Sequence, residues 1–164
     1  MFPTYFQRMA AYNAWANRLV YLAVAEMPDA DYRKDAGAFF GSVHRTLNHL
    51  VVTDRIWLRR MTGTGENHAD LDAVPYAEFD DLKGARKAED RRIVDWVGGL
   101  TDSDFATDFT YRNMAGDPFT DRLDLLLGHF FNHQTHHRGQ VHTIMSVLGH
   151  MPPSLDLIYF SRVG

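Results

Sequence analysis

The chain has 164 residues, enough for one domain with a real core, and its 45% apolar and 23% charged residues are an ordinary globular balance. A net charge of −4 argues against a nucleic-acid-binding surface, and no apolar run approaches the roughly 18–20 residues that span a bilayer. Cysteine is absent, which excludes disulfides, a cysteine nucleophile, iron–sulfur ligation and any cysteine-containing zinc site, so a bound metal must take His, Asp or Glu.

The N-terminus, Met1-Phe2-Pro3-Thr4-Tyr5-Phe6-Gln7-Arg8, lacks the basic start and apolar core of a signal peptide, so a cytoplasmic location is expected. The first predicted helix runs from about Phe2 to Met27, with Phe2, Tyr5, Met9, Tyr12, Ala16, Leu19, Val20, Ala23 and Met27 on one face and Pro28-Asp29 ending it. A connector of mixed character follows from Asp31 to Gly41. Ser42 is a candidate N-cap for a second helix reaching Met61, whose face carries Val43, Leu47, Leu50, Trp57, Leu58 and Met61 with Asp54 among them. Thr62-Gly63-Thr64-Gly65 stops it. A third helix is expected over Tyr76 to Val97, and the middle of its inward stripe is charged, at Arg86 and Glu89. From Thr107 to Thr120 the chain alternates aromatic and polar residues around Ala115-Gly116-Asp117-Pro118, which predicts a short β-hairpin or irregular excursion. The fourth helix is expected to start near Thr120 or Asp121 and to end at Gly149. The tail Leu155-Asp156-Leu157-Ile158-Tyr159-Phe160 is apolar enough to pack back on the body. No repeat, low-complexity stretch or linker interrupts this pattern. The expectation is therefore an all-α four-helix bundle, one domain over residues 1–164, with long connectors before the second and third helices that permit crossovers.

Nine residues are histidine, and five of them fall between His129 and His142. On the fourth helix, Leu123, Leu126, Phe130, His133, His137, Val141, Ile144 and Leu148 recur at steps of three or four, so they share one face. Imidazoles inside an apolar stripe need their ring nitrogens satisfied, and a pair at i and i+4 can be satisfied by one metal ion. The other reading is a pair of core histidines bonded to backbone or carboxylates. A third ligand has to come from another helix. His44 and His49 flank the apolar face of the second helix at opposite edges, and wheel arithmetic does not choose between them; Asp54 lies nearer the centre, as a candidate ligand or hydrogen-bond acceptor. His129 completes a ladder with His133 and His137, but three such positions span about 12 Å at 1.5 Å per residue, too far for one ion.

Three segments carry a resemblance. The fourth helix reads Asn132-His133-Gln134-Thr135-His136-His137-Arg138-Gly139-Gln140, the second reads Leu47-Asn48-His49-Leu50-Val51-Val52-Thr53-Asp54-Arg55-Ile56-Trp57-Leu58, and the first holds Tyr12-Asn13-Ala14-Trp15-Ala16-Asn17. Together with the tail from Pro152 to Phe160 they resemble the DinB family of metal-binding four-helix bundles over nearly the whole chain. The resemblance implies a three-histidine site of His49, His133 and His137 for a divalent transition metal, zinc or nickel; the imidazole ligand set by itself leaves iron and manganese open as well. It also implies a homodimer, and a transferase that uses a small-molecule thiol such as glutathione, mycothiol or bacillithiol. A non-catalytic, metal-stabilised bundle acting in stress response through dimerisation is the alternative.

Further roles are expectations from position alone. His136 points about 100° away from His137 and is not a ligand on this reading. Asp54, Asn132 and Gln140 are candidates to accept the free N–H of a ligating ring. Arg86 and Glu89 are expected to pair with each other across one turn; otherwise Arg86 receives a carboxylate of the thiol. Tyr12 is read as core, Gly139 as a site of close helix packing, and Trp15 or Phe131 as exposed aromatics available to a dimer contact.

Overall fold

The computed structural model describes residues 2–162. Ser42 caps as expected: its backbone is extended, and its Oγ accepts from Arg45 N at 3.2 Å, opening helix α3, Val43–Thr62. Gly63 closes that helix at φ 72°, donating its N–H to Arg59 O. The other long helices are α1, Phe2–Ala25, α4, Phe79–Gly98, and α5, Leu123–Val147. Two single-turn helices accompany them, α2 at Asp29–Tyr32 and α6 at Leu157–Phe160. The segment Asp29–Tyr32 was not expected to be helical; buried Tyr32 anchors it against the rings of His44 and Phe79.

Two helix starts lie later than the sequence pattern suggests, each because a pairing holds the chain extended. Tyr76 bonds through its N–H to Asn48 Oδ1 and through its carbonyl to Asn48 Nδ2 and His44 Nε2, so α4 begins at Phe79. The expected hairpin is present, with β1, Asp108–Arg112, antiparallel to β2, Pro118–Arg122. Thr120 and Asp121 pair with Thr110 and Phe109, which delays α5 to Leu123. Asn113 builds the turn by accepting from the N–H groups of Ala115 and Asp117.

The four long helices pack in the cyclic order α1, α4, α3, α5, so α1 lies diagonal to α3 and α4 diagonal to α5. The connector before α3 carries a crossover as expected; the one before α4 joins neighbouring helices, and the second crossover runs instead through the hairpin from α4 to α5. The tail returns over α1: Leu155 packs on the core, and its carbonyl accepts from Tyr12 at 2.7 Å. Tyr12 is buried, as read. Phe131 is 3% exposed, which removes it as a dimer contact. A Cβ on Gly139 would meet nothing within 4 Å, so that glycine does not serve close packing.

A closed polar belt crosses the bundle. Asn17 Nδ2 donates to Asp90 at 2.8 Å, Arg86 lies 3.0 Å from Asp90 and donates to Asp54 at 2.6 Å, Gln134 donates to Asp54, and Arg138 bonds Gln134, Asn13 and Asn17. All four long helices contribute, and two guanidiniums balance two carboxylates. The belt separates two apolar clusters: Val20, Leu47, Leu50, Leu82 and Ile144 on one side, Phe6, Leu58, Ile93, Leu127 and Phe130 on the other. The expected Arg86–Glu89 pair is absent. Arg86 turns inward to Asp54 and Asp90, while Glu89 pairs with Arg92 at 2.8 Å and Arg55 at 3.5 Å.

Candidate metal centre

His49 projects from α3 and His133 and His137 from α5, on faces that those two helices turn toward each other. One ring nitrogen from each lies within 4.8 Å of the others, and the ring centroids stand 5.2, 4.6 and 4.3 Å apart. His49 and His137 are buried and His133 is half-buried. Among the described residues, no other group of three His, Asp or Glu converges in this way.

The hydrogen bonds fix which nitrogens face inward. The Nδ1 of His49 lies 2.9 Å from Leu71 O; a carbonyl only accepts, so Nδ1 carries the proton and Nε2 presents its lone pair. The Nδ1 of His137 donates to Gln140 Oε1 at 2.7 Å, which leaves its Nε2 free in the same sense. The Nε2 atoms of His49 and His133 face one another at 3.3 Å. Without an ion, one of two such nitrogens has to carry a proton to avoid opposed lone pairs. The three rings are held neutral: burial pulls His133 down to about 3 and His137 down to about 4, each helped by its neighbouring imidazoles, and burial lowers His49 as well. Neutral imidazole is the form that ligates a metal.

The surroundings complete the picture. Phe40 stacks on His49 with centroids 4.0 Å apart and lies 5.5 Å from His137. Gln140 also donates through its amide nitrogen to exposed His136 at 3.2 Å, so His136 stands behind the cluster rather than within it. Gln140 therefore fills the accepting role expected of it. Asn132 is exposed and bonds none of the three rings. Asp54 is neither ligand nor acceptor for them, because its two oxygens take Arg86 and Gln134. His44 is committed to Tyr76 O, and His129 packs its ring 5.0 Å from Trp57. Phe40 and the Leu71 carbonyl were missed from sequence. Both sit in connectors without periodicity, and a backbone oxygen leaves no residue-type signal at all.

Fold and site together define a helical bundle with a three-histidine cluster between two of its helices. The chain belongs to the DinB family, whose model matches residues 1–163. It is 23% identical over 153 residues to "Protein DinB" of Bacillus subtilis (strain 168), an alignment that spans 91% of this chain and 89% of that one. Its fold is similar to the crystal structure of a DinB-like protein from Bacillus cereus ATCC 10987, with a TM-score of 0.65 and 19% identity, covering 85% of this chain and 89% of that chain.

Proposed function

We propose that the chain binds one divalent transition metal ion through His49, His133 and His137, and that it is a metal-dependent enzyme using a small-molecule thiol as cosubstrate. The carrying observation is the convergence of three neutral imidazoles with two tautomers already set by Leu71 O and Gln140. The family resemblance favours zinc or nickel; the imidazole donors by themselves suit several divalent transition metals, so iron and manganese are further candidates. A divalent ion among three neutral ligands keeps its full charge and an open position, and it lowers the pKa of a bound water or thiol. The chain's part is to orient His49 and His137, to cover one side of the cluster with Phe40, and to hold the rings unprotonated. Because the sequence has no cysteine, a nucleophilic sulfur has to arrive with the cosubstrate. Assembly as a homodimer belongs to the same proposal and is read by light scattering.

Elemental analysis of untagged protein tests the first part: about one equivalent of a transition metal per chain is expected, and less than about a tenth overturns the site. A panel of small thiols with an electrophilic acceptor tests the second. Turnover that vanishes in His133→Ala supports the enzyme. If no thiol turns over and metal removal only lowers the melting temperature, the chain is instead a non-catalytic, metal-stabilised bundle.

A further inference from the structure

The alternative role for Arg86, receiving the carboxylate of a cosubstrate, fails too, because that guanidinium is 2% exposed and already faces two carboxylates. Arg33, Arg55, Arg86, Arg92 and Arg122 each have a carboxylate oxygen within 4.0 Å. Of the arginines without one, three line a single cleft of about 460 Å³ between the end of α3, the loop after it and strand β1: Arg59, Arg60 and Arg112. Each makes only a neutral contact. Arg59 donates to Gly65 O, Arg112 to Gly116 O, and Arg60 to Met114 Sδ at 3.8 Å.

Arg60 is also held in place. Its guanidinium lies 4.7 Å from the ring centre of Trp57 and 5.3 Å from that of Tyr111, and burial works against its charge. A fixed, partly desolvated cation attracts an anion more strongly than a mobile one in water. His68 lines the same cleft with a buried Nε2 that has no hydrogen-bond partner; the nearest carboxylate, Glu66, is 3.8 Å away. No Asp or Glu lines the cleft.

The cleft and the histidine cluster are neighbours. Trp57, beneath Arg60, packs 5.0 Å from His129, whose ring is 5.9 Å from His133. The loop that supplies Asn67 and His68 to the cleft continues to Leu71, whose carbonyl holds His49.

We propose that Arg59, Arg60 and Arg112 form a binding site for the oxyanion group, carboxylate or phosphate, of a small molecule. That this group is the anchoring end of the substrate rests on the metal-centre reading; oxyanion binding itself does not. Planar guanidiniums suit such a group because they donate in pairs to two of its oxygens.

The test is calorimetric titration of metal-free protein with inorganic phosphate and with succinate at constant ionic strength. Saturable binding of at least one is expected below about 20 mM, weakened about tenfold or more in both Arg60→Gln and Arg112→Gln. Circular dichroism and melting temperature check that each variant is folded. The pair Arg18→Gln/Lys87→Gln, in the cationic groove between α1 and α4, is expected to bind as the parent does. Preference for phosphate or for succinate identifies the group. No saturation with either anion, unchanged binding in both folded cleft variants, or an equal loss in the control pair overturns the proposal. Failure of the metal-centre reading leaves these titrations unaffected, and failure of the cleft leaves the metal content unaffected.

Discussion

His137 and His136 stand next to each other in the chain, but only His137 points its free nitrogen at His49 and His133. His137→Ala is therefore expected to lose most bound metal, and His136→Ala to retain it, in elemental analysis of untagged variants; equal loss in both contradicts the geometry. The depressed histidines also predict an acid dependence. His133 and His137, at about 3 and about 4, are neutral in the folded chain, whereas in the unfolded chain they protonate near 6.5. Their contribution is thus complete above pH 6.5 and is lost as pH falls toward the folded values. Asp54 runs the other way, since burial lifts its carboxyl to about 6, above the 3.8 of a free side chain, so it favours the fold as pH drops through that window. To isolate one histidine, denaturation of metal-free protein at pH 7 and pH 5 is compared with that of His133→Asn. The parent is expected to lose about 2 kcal/mol more than the variant over that interval. At this scale the sequence reading was uneven for a physical reason. A helical stripe brings His133 and His137 together by periodicity alone, whereas pairing His49 with them needed the family resemblance, because nothing in one helix's wheel says which edge faces a neighbour.

Single elements were read best where a residue type enforces a local geometry. Ser42 capped α3, Gly63 ended it with a positive φ, and Asn113 with Gly116 at φ 91° made the hairpin turn. Ser42→Ala is expected to cost about 1 kcal/mol in urea denaturation, with little change in metal content. Readings failed where a distant strand or helix competed for the same backbone. Thr120 and Asp121 have helix-start chemistry but belong to β2, and Tyr76 is tied to Asn48. Arg86 and Glu89 are spaced for a turn-to-turn pair, yet α3 offers Asp54 and Arg55 and takes both away. Partners supplied by tertiary contact override those supplied by spacing, and no pattern within α4 carries that information.

Across the whole molecule the apolar periodicities were enough to identify a bundle, and the length of the connector before α3 was enough to allow its crossover, whereas the crossover through the hairpin into α5 was not anticipated. The polar belt was not legible beyond Asp54 and Arg86. Asn13, Asn17, Asp90, Gln134 and Arg138 are not among the stripe residues of their helices, and only the packing of four helices brings them together, where burial without partners would be costly. Burial opposes the charge of Arg86, but Asp90 and Asp54 outweigh it and keep the guanidinium ionised. Arg86→Met is expected to destabilise the protein by about 3–5 kcal/mol by chemical denaturation, because two carboxylates lose their cation, and the double change Arg86→Met/Asp54→Leu to recover part of that loss. If the double variant is less stable than the single one, the belt is not organised around this pair.

Gln134 occupies the turn of α5 between His133 and His137, and its amide is bonded to Asp54 on the helix that carries His49. That contact acts as a dowel between the two helices: it pins the rotation of α5 at the very turn from which two of the three imidazoles spring. Loosening it by Asp54→Ala, with no ring altered, would let the jaws of the cluster drift, so damage at the bundle's midline would be felt as weakened grip on the cation.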